Sequence, residues 1–132
     1  MSYRLQKNEI LHRHGEFAAI FSEGKTILVP PLRVFFIVQP DRNPAVQIGF
    51  AVTKRCRSAV DRNRLKRLMR EAYRLTKGSF VENVKASRKA VDMVLMFTTY
   101  GKTPDSMISL NAVKKSIESI TQRIISGLGD AI

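Results

Sequence analysis

Several residue types on which common functions depend are scarce in this chain of 132 residues. Cys56 is the only cysteine, so an internal disulfide is impossible and no second cysteine supports a zinc site. The only histidines, His12 and His14, stand at i, i+2, a spacing that puts them on different faces of a helix. No apolar run of about 18 residues and no signal-peptide pattern occurs. We therefore expect a cytoplasmic protein that neither spans a membrane nor is exported across one.

Acidic residues are few as well, 11 against 23 Lys and Arg, which gives a formal net charge of +12. The aspartates at 41, 61, 92 and 105 are too dispersed to suggest a pair that holds two magnesium ions. The nucleotide-binding patterns GxxxxGK(S/T) and GxGxxG are missing too. The sequence therefore predicts a protein without a catalytic centre, metal site or cofactor of its own. Nucleic acid is the commonest polyanionic partner for such a charge, and an acidic membrane is the rival.

The basic residues are concentrated in one segment. Between Lys54 and Arg74 there are nine Lys and Arg but only two acids, which is +7 of the total charge. The spacing predicts a helix whose apolar arc is formed by Leu65, Leu68, Met69, Ala72 and Leu75. The opposite arc carries Asn63, Lys66, Arg67, Arg70 and Arg74. Like charges at i, i+4 repel each other, so an anionic partner is expected against this face, although a solvated basic face is the alternative.

The remaining elements follow from apolar periodicity and from glycine and proline. The predicted elements are a helix over 9–23 ended by Gly24, strands over 25–29, 33–39 and 46–54, the basic helix over 60–76, a strand over 91–97 and a helix from a Ser109 cap to Gly127. Residues 77–79 are expected to end the basic helix, residues 80–90 fit either a helical turn or a loop, and residues 101–105 form a turn.

This order predicts an α+β sandwich, with helices against a small mixed four-stranded sheet in one domain over residues 1–132. The strands over 33–39 and 46–54 are expected to pair as a hairpin. The strand, helix, strand passage from Val46 to Phe97 implies a parallel pair, and a right-handed crossover is the default.

Aromatic residues mark a second candidate surface. Phe17 and Phe21 are i, i+4 neighbours on the first predicted helix, and Arg33 and Phe35 share one face of a strand. Single-stranded nucleic acid binds such surfaces, because bases stack on aromatic rings while cations follow the phosphates. Core filling by the three phenylalanines is the alternative, and periodicity alone does not separate the two.

The segment from Ala59 to Ala72, AVDRNRLKRLMREA, resembles the "RNR" signature of the bacterial ribonuclease P protein family. The similarity extends over most of the chain, through RLQK at 4–7, FSEG at 21–24, IGFAVTKR at 48–55 and VDMV at 91–94. The combination is specific, since the basic helix follows the strand end at the expected distance.

The resemblance implies that the protein binds a catalytic RNA, which cleaves precursor transfer RNA with Mg²⁺ to leave the mature 5′ end. The RNA-facing residues it implies are Arg62, Asn63, Arg64, Lys66, Arg67 and Arg70. The residues it implies for a cleft that binds the single-stranded 5′ leader are Phe17, Phe21, Arg33, Phe35, Thr53, Lys54 and Arg55. It also implies the order αβββαβα, a left-handed crossover through the basic helix, and a monomeric protein bound 1:1 to the RNA.

Two features depart from the commoner family pattern. The chain has extra residues between Lys7 and Phe17, and Arg33 stands where an aromatic or aliphatic residue is usual. A stand-alone RNA-binding module, of the ribosome-associated or nucleoid type, remains the alternative function, and a protein-only nuclease is a more distant one.

Overall fold

The structure is a computed structural model that describes residues 5–11, 14–52, 59–98 and 109–130. A short 3₁₀ turn at Lys7–Glu9 precedes the main elements. These are α1 (His14–Glu23), β1 (Lys25–Val29), β2 (Leu32–Pro40), β3 (Val46–Val52), α2 (Ala59–Ala86), β4 (Lys89–Phe97) and α3 (Leu110–Asp130). The predicted fold class, three helices with one four-stranded mixed sheet, is confirmed.

The strand order in the sheet is β1-β2-β4-β3, and this corrects the predicted hairpin. β2 and β3 do not pair, because β4 lies between them, antiparallel to β2 and parallel to β3. The uninterrupted apolar character of β4 is the physical reason, since a strand buried on both faces occupies the centre of a sheet. The predicted parallel pair of β3 and β4 is confirmed, whereas the hand of its crossover stays a prediction.

The sheet has two unlike faces. One face packs against α2 and α3 and forms the main core, with Val34, Ile48, Met93 and Leu95 fully buried. The other face is partly covered by α1, where Leu11, Ile20 and Val94 form a small buried cluster. We call this second face the cleft face, and its side chains alternate with the core side chains along every strand.

Helix α2 is longer than predicted. Residues 77–79 do not end it, and it continues to Ala86 because Phe80 and Val84 extend its buried side. Lys77 is itself buried, whereas Leu75, which was predicted on the core arc, is 42% exposed. The last helix, α3, begins with the predicted cap, since the Ser109 hydroxyl accepts a hydrogen bond from the backbone N–H of Ala112. It passes Gly127 and ends at Asp130.

Helix α1 starts at His14, five residues later than predicted. Before it, Ile10 bridges to Ile48 in parallel, and the backbone N–H of Leu11 donates a 2.9 Å hydrogen bond to the Ile48 carbonyl. Residues 5–11, which we call the N-terminal segment, therefore lie beside the outer edge of β3. An edge strand needs such a cover, because its unpaired backbone groups otherwise attract further strands.

Candidate nucleic-acid interface

Three phenylalanines form a continuous aromatic surface between α1 and the cleft face. The ring centroids of Phe21 and Phe35 are 4.9 Å apart in an edge-to-face arrangement, and those of Phe17 and Phe21 are 6.4 Å apart. Phe21 is 37% exposed, while Phe17 and Phe35 are partly buried against Ile20 and Val94. The rings therefore serve both interpretations of the sequence, since they fill a small core and also present aromatic area to solvent.

A glycine in β3 makes room for the first of these rings. A Cβ atom built on Gly49 would lie 2.4 Å from Cζ and 2.7 Å from Cε1 of Phe17. The Phe17 ring thus rests directly on the backbone of β3. This close approach fixes the height of α1 above the sheet, and with it the depth of the cleft.

Arg33 lies on the same face, one row from the phenylalanines. In the register of the sheet it stands between Leu28 of β1 and Met96 of β4. Its Nε atom is buried and has no hydrogen-bond partner in the part of the chain that the structure describes. A buried donor without an acceptor costs about 1–3 kcal/mol, so the guanidinium group of Arg33 is a candidate contact for a ligand.

A groove of about 420 Å³ lies at the edge of β3, between α1 and α2. It is lined by Ile10, Leu11, Phe17, Phe50, Asn63, Lys66, Arg67 and Arg70. The guanidinium carbon of Arg70 stands 5.9 Å from the centroid of the Phe50 ring, within the range of a cation–π contact. Two aromatic rings and three cations therefore face one groove, an arrangement suited to a base together with its phosphates.

The groove joins part of each predicted residue set. Asn63, Lys66, Arg67 and Arg70 come from the RNA-facing set, and Phe17 comes from the cleft set. Arg62 and Arg64 do not line it, since each lies about 100° around the helix from Asn63. The structure therefore brings the two surfaces together at the edge of β3 and leaves Arg62 and Arg64 on the flanks.

Carboxylates neutralise other cations of α2. Arg74 donates two hydrogen bonds to Glu71, of 2.6 and 3.0 Å, and these bonds lower the pKa of the Glu71 carboxyl and raise the pKa of Arg74. Lys77 contacts both carboxylate oxygens of Glu9 at 3.0 Å. By contrast, no described carboxylate forms an ion pair with Lys66, Arg67 or Arg70. Unneutralised charge thus remains at the groove.

A buried tyrosine lies beneath the N-terminal segment. Tyr73 is 1% exposed, and its ring is 6.4 Å from the Phe50 ring, centroid to centroid. Burial raises the pKa of its phenol strongly, and the nearby Glu9 carboxylate adds to the effect. The segment that forms one wall of the groove is therefore anchored by Glu9 above a neutral phenol and a buried ammonium group.

Three predicted site residues lie outside the part of the chain that the structure describes, and three residues that line the groove were not predicted as site residues. Thr53, Lys54 and Arg55 lie outside the described residues. Phe50 was assigned only to the alternation of β3, and Ile10 and Leu11 to a helix. The signal for Phe50 was its position at the end of an edge strand directly before the basic helix. Contacts between the N-terminal segment and β3 carry no such local signal.

The described residues contain no group of three His, Cys, Asp or Glu side chains that could hold a metal ion. Within the same ranges, no helix is long and apolar enough to cross a membrane. The chemistry that this part of the chain does offer is cationic and aromatic contact, together with the amide of Asn63.

Comparison with known proteins identifies the family. The family model described as Ribonuclease P matches residues 5–124. The ribonuclease P protein component of Porphyromonas gingivalis is 33% identical over 127 residues, which cover 95% of this chain and 92% of that protein. That of Chlorobium phaeobacteroides is 48% identical over 75 residues, 53% of this chain and 51% of that protein.

Solved structures agree on the fold. The RNase P protein from Thermotoga maritima superposes with a TM-score of 0.68 at 24% identity, over 87% of this chain and 96% of that one. The Staphylococcus aureus RNase P protein gives 0.62 at 18% identity, over 88% and 94%. A sheet with its central strand last, a basic second helix and a family match along most of the chain lead to one conclusion: the chain belongs to the ribonuclease P protein family, the protein components of a tRNA-processing enzyme with an RNA subunit.

Proposed function

We propose that this protein binds the catalytic RNA of ribonuclease P through the basic face of α2, and the single-stranded 5′ leader of precursor tRNA through the aromatic cleft. It would assist removal of the leader to give the mature tRNA 5′ end, in the cytoplasm and as one protein per RNA. The RNA would carry out the cleavage, using Mg²⁺ bound through the RNA. The observation that supports the proposal best is the groove at the edge of β3, where the RNA-facing cations meet the aromatic surface.

The physical role we propose is electrostatic and positional. Two RNAs repel each other, and the cations at the groove would reduce that repulsion where substrate and catalytic RNA meet. Stacking of leader bases on Phe21 and Phe35 would hold the leader to one side of the cleavage point, at about 1–3 kcal/mol for each stacked base. Both effects favour substrate and magnesium binding.

The first test concerns the RNA-binding face. Arg67→Ala with Arg70→Ala removes two cations without a described carboxylate partner, so affinity for the catalytic RNA should fall. The slope of log affinity against log salt should flatten by about 1.4 to 1.8, since each phosphate contact contributes 0.7 to 0.9. Lys115→Ala with Arg123→Ala, which removes two exposed charges from α3, is the matched control. Equal slopes in the two double variants would refute this assignment.

The second test separates the proposal from a stand-alone RNA-binding module. Adding the protein to a bacterial ribonuclease P RNA at low Mg²⁺ should stimulate cleavage of precursor tRNA. Phe21→Ala should reduce affinity of the holoenzyme for leader-containing precursor but not for the leaderless product. Absence of stimulation would favour the stand-alone module, and cleavage by the RNA-free protein would favour a protein-only nuclease.

A further inference from the structure

One row of the cleft face lies beside the row on which α1 packs. The register of the sheet places Leu28, Arg33, Met96 and Ala51 side by side across its four strands. The next row, which contains Phe35, Val94 and Gly49, is the row on which α1 packs. At about 4.8 Å between strands, the row of Leu28, Arg33, Met96 and Ala51 spans about 14 Å. It is a floor wide enough for one nucleobase.

This floor consists of apolar side chains and a single cation. Leu28 is 38% exposed, and Met96 and Ala51 are partly buried apolar side chains. Arg33 is the one charged group in the row, and its Nε atom is buried without a hydrogen-bond partner among the described residues. Arginine only donates hydrogen bonds and presents them in a planar fork. The ligand that fits must therefore be flat and must offer acceptors along one edge.

We propose that Arg33 reads a guanine of the precursor leader, an inference that rests on the leader-binding function proposed above. Guanine offers two adjacent acceptors, O6 and N7, which match the arginine fork. Adenine has a donor in place of O6, so the same edge is rejected. A base stacked on Phe21 or Phe35 is adjacent to the Arg33 row, so a neighbouring base can lie on that floor with its edge toward the guanidinium.

A backbone phosphate fits this position less well. A phosphate would pair with the Arg33 charge, but it would also bring its remaining charged oxygens onto a floor of leucine, methionine and alanine side chains, a desolvation cost that a neutral base avoids. The exposed cations of α2 are better placed for phosphates, because water still surrounds them. We therefore assign phosphate contacts to α2 and base recognition to Arg33.

The experiment measures equilibrium affinity of the holoenzyme for precursor tRNAs that differ at a single leader nucleotide. Guanosine is replaced, one position at a time, by adenosine or by 7-deazaguanosine, which lacks the N7 acceptor. At one position the wild-type holoenzyme should lose affinity about 5- to 100-fold with adenosine, the range expected for a bidentate base contact. 7-Deazaguanosine should cause an intermediate loss at that position.

Protein variants then assign the preference to the side chain. Arg33→Met removes both the charge and the fork, so this variant should bind guanosine and adenosine leaders equally well. Arg33→Lys keeps the charge but not the planar fork, so it should keep only part of the preference. Arg123→Met on α3 is the control and should keep the preference. Because the 7-deazaguanosine result comes from the wild-type protein, it does not depend on how well a variant folds.

The possible results are distinct. A leader preference that survives at full strength in Arg33→Met overturns the inference. A uniform loss for all leaders in Arg33→Met, with no preferred nucleotide in the wild type, assigns Arg33 to a phosphate and also overturns it. In both cases the leader-binding function stands. If leader-containing and leaderless RNAs bind the wild-type holoenzyme equally well, the proposed leader function fails and the inference fails with it.

Discussion

Replacing Lys77 by methionine should destabilise the protein far more than any other loss of one lysine from α2. Its ammonium group lies 3.0 Å from both carboxylate oxygens of Glu9, and the two side chains are only 10% and 17% exposed. Removing one partner of a buried ion pair leaves the other charge uncompensated, at a cost of about 3–5 kcal/mol. The backbone N–H of Gln6 still donates a 2.6 Å hydrogen bond to Glu9, so we expect the lower end, about 3 kcal/mol.

The assay is urea unfolding followed by circular dichroism, arranged as a double-mutant cycle. Lys77→Met with Glu9→Met removes both charges and should lose less stability than Lys77→Met alone, because no buried charge is left unpaired. Lys85→Met is the matched control on the same helix. Its partner is Glu82, the side chains are 54% and 75% exposed, and the loss should be within about 0.5 kcal/mol.

Hydrogen exchange should locate the damage. The Leu11 amide, which donates to the Ile48 carbonyl, should exchange faster in Lys77→Met, since the N-terminal segment is then less firmly held. The reasoning is refuted if Lys77→Met costs no more than Lys85→Met, or if the cycle shows no coupling between Lys77 and Glu9.

Three further predictions concern other positions. Gly49→Ala should displace the Phe17 ring, lower the free energy of unfolding by about 1–3 kcal/mol and weaken affinity for the leader. The control is Gly127→Ala, which has open space around it and should raise the free energy of unfolding by about 0.5–1 kcal/mol in the same urea titration. The folded state keeps the Tyr73 phenol neutral, whereas the unfolded chain ionises it above about pH 10, so the free energy of unfolding should be unaffected by this group below about pH 10 and should fall above it by about 1.4 kcal/mol per pH unit. The difference in free energy of unfolding between the wild type and Tyr73→Phe, measured from pH 9 to 11, should show this slope. A difference that does not change with pH would contradict the prediction. Phe50→Leu should weaken RNA binding at the groove while Leu75→Ala on the exposed side should not, as measured by filter binding to the catalytic RNA.

The sequence was most informative where the signal is local. The strands, the Ser109 cap and the one-sided charge of α2 were predictable because each depends on residues within a few positions. The predicted end of α2 was wrong because this end depends on a residue that is distant in the sequence. Lys77 and Gly78 resemble a helix end, but the partner of Lys77 is Glu9, 68 residues earlier. Phe80 and Val84 continue the buried face of α2 and were a usable signal for a longer helix. Their burial outweighs the tendency of Gly78 to end the helix.

The predicted hairpin was wrong because pairing is decided by the whole sheet. β2 and β3 follow each other closely along the chain, so local rules favour pairing them. Each, however, pairs with β4, which is apolar on both faces and is best buried between them. The meeting of Phe17 with the cations of α2 could not be predicted either, since it depends on where the N-terminal segment and α1 lie relative to the edge of β3.

The central position of β4 has a consequence for folding during synthesis on the ribosome. The hairpin of β1 and β2 can form early, but β3 has no neighbouring strand until β4, the last strand of the sheet, has been synthesised after α2. During that interval the nascent chain carries two apolar strands, β2 and β3, with no strand between them. Such unpaired edges favour aggregation, and distant pairings form slowly. The sheet can therefore be completed only when residues 89–97 have left the ribosome. Until then the nascent chain is most exposed to aggregation.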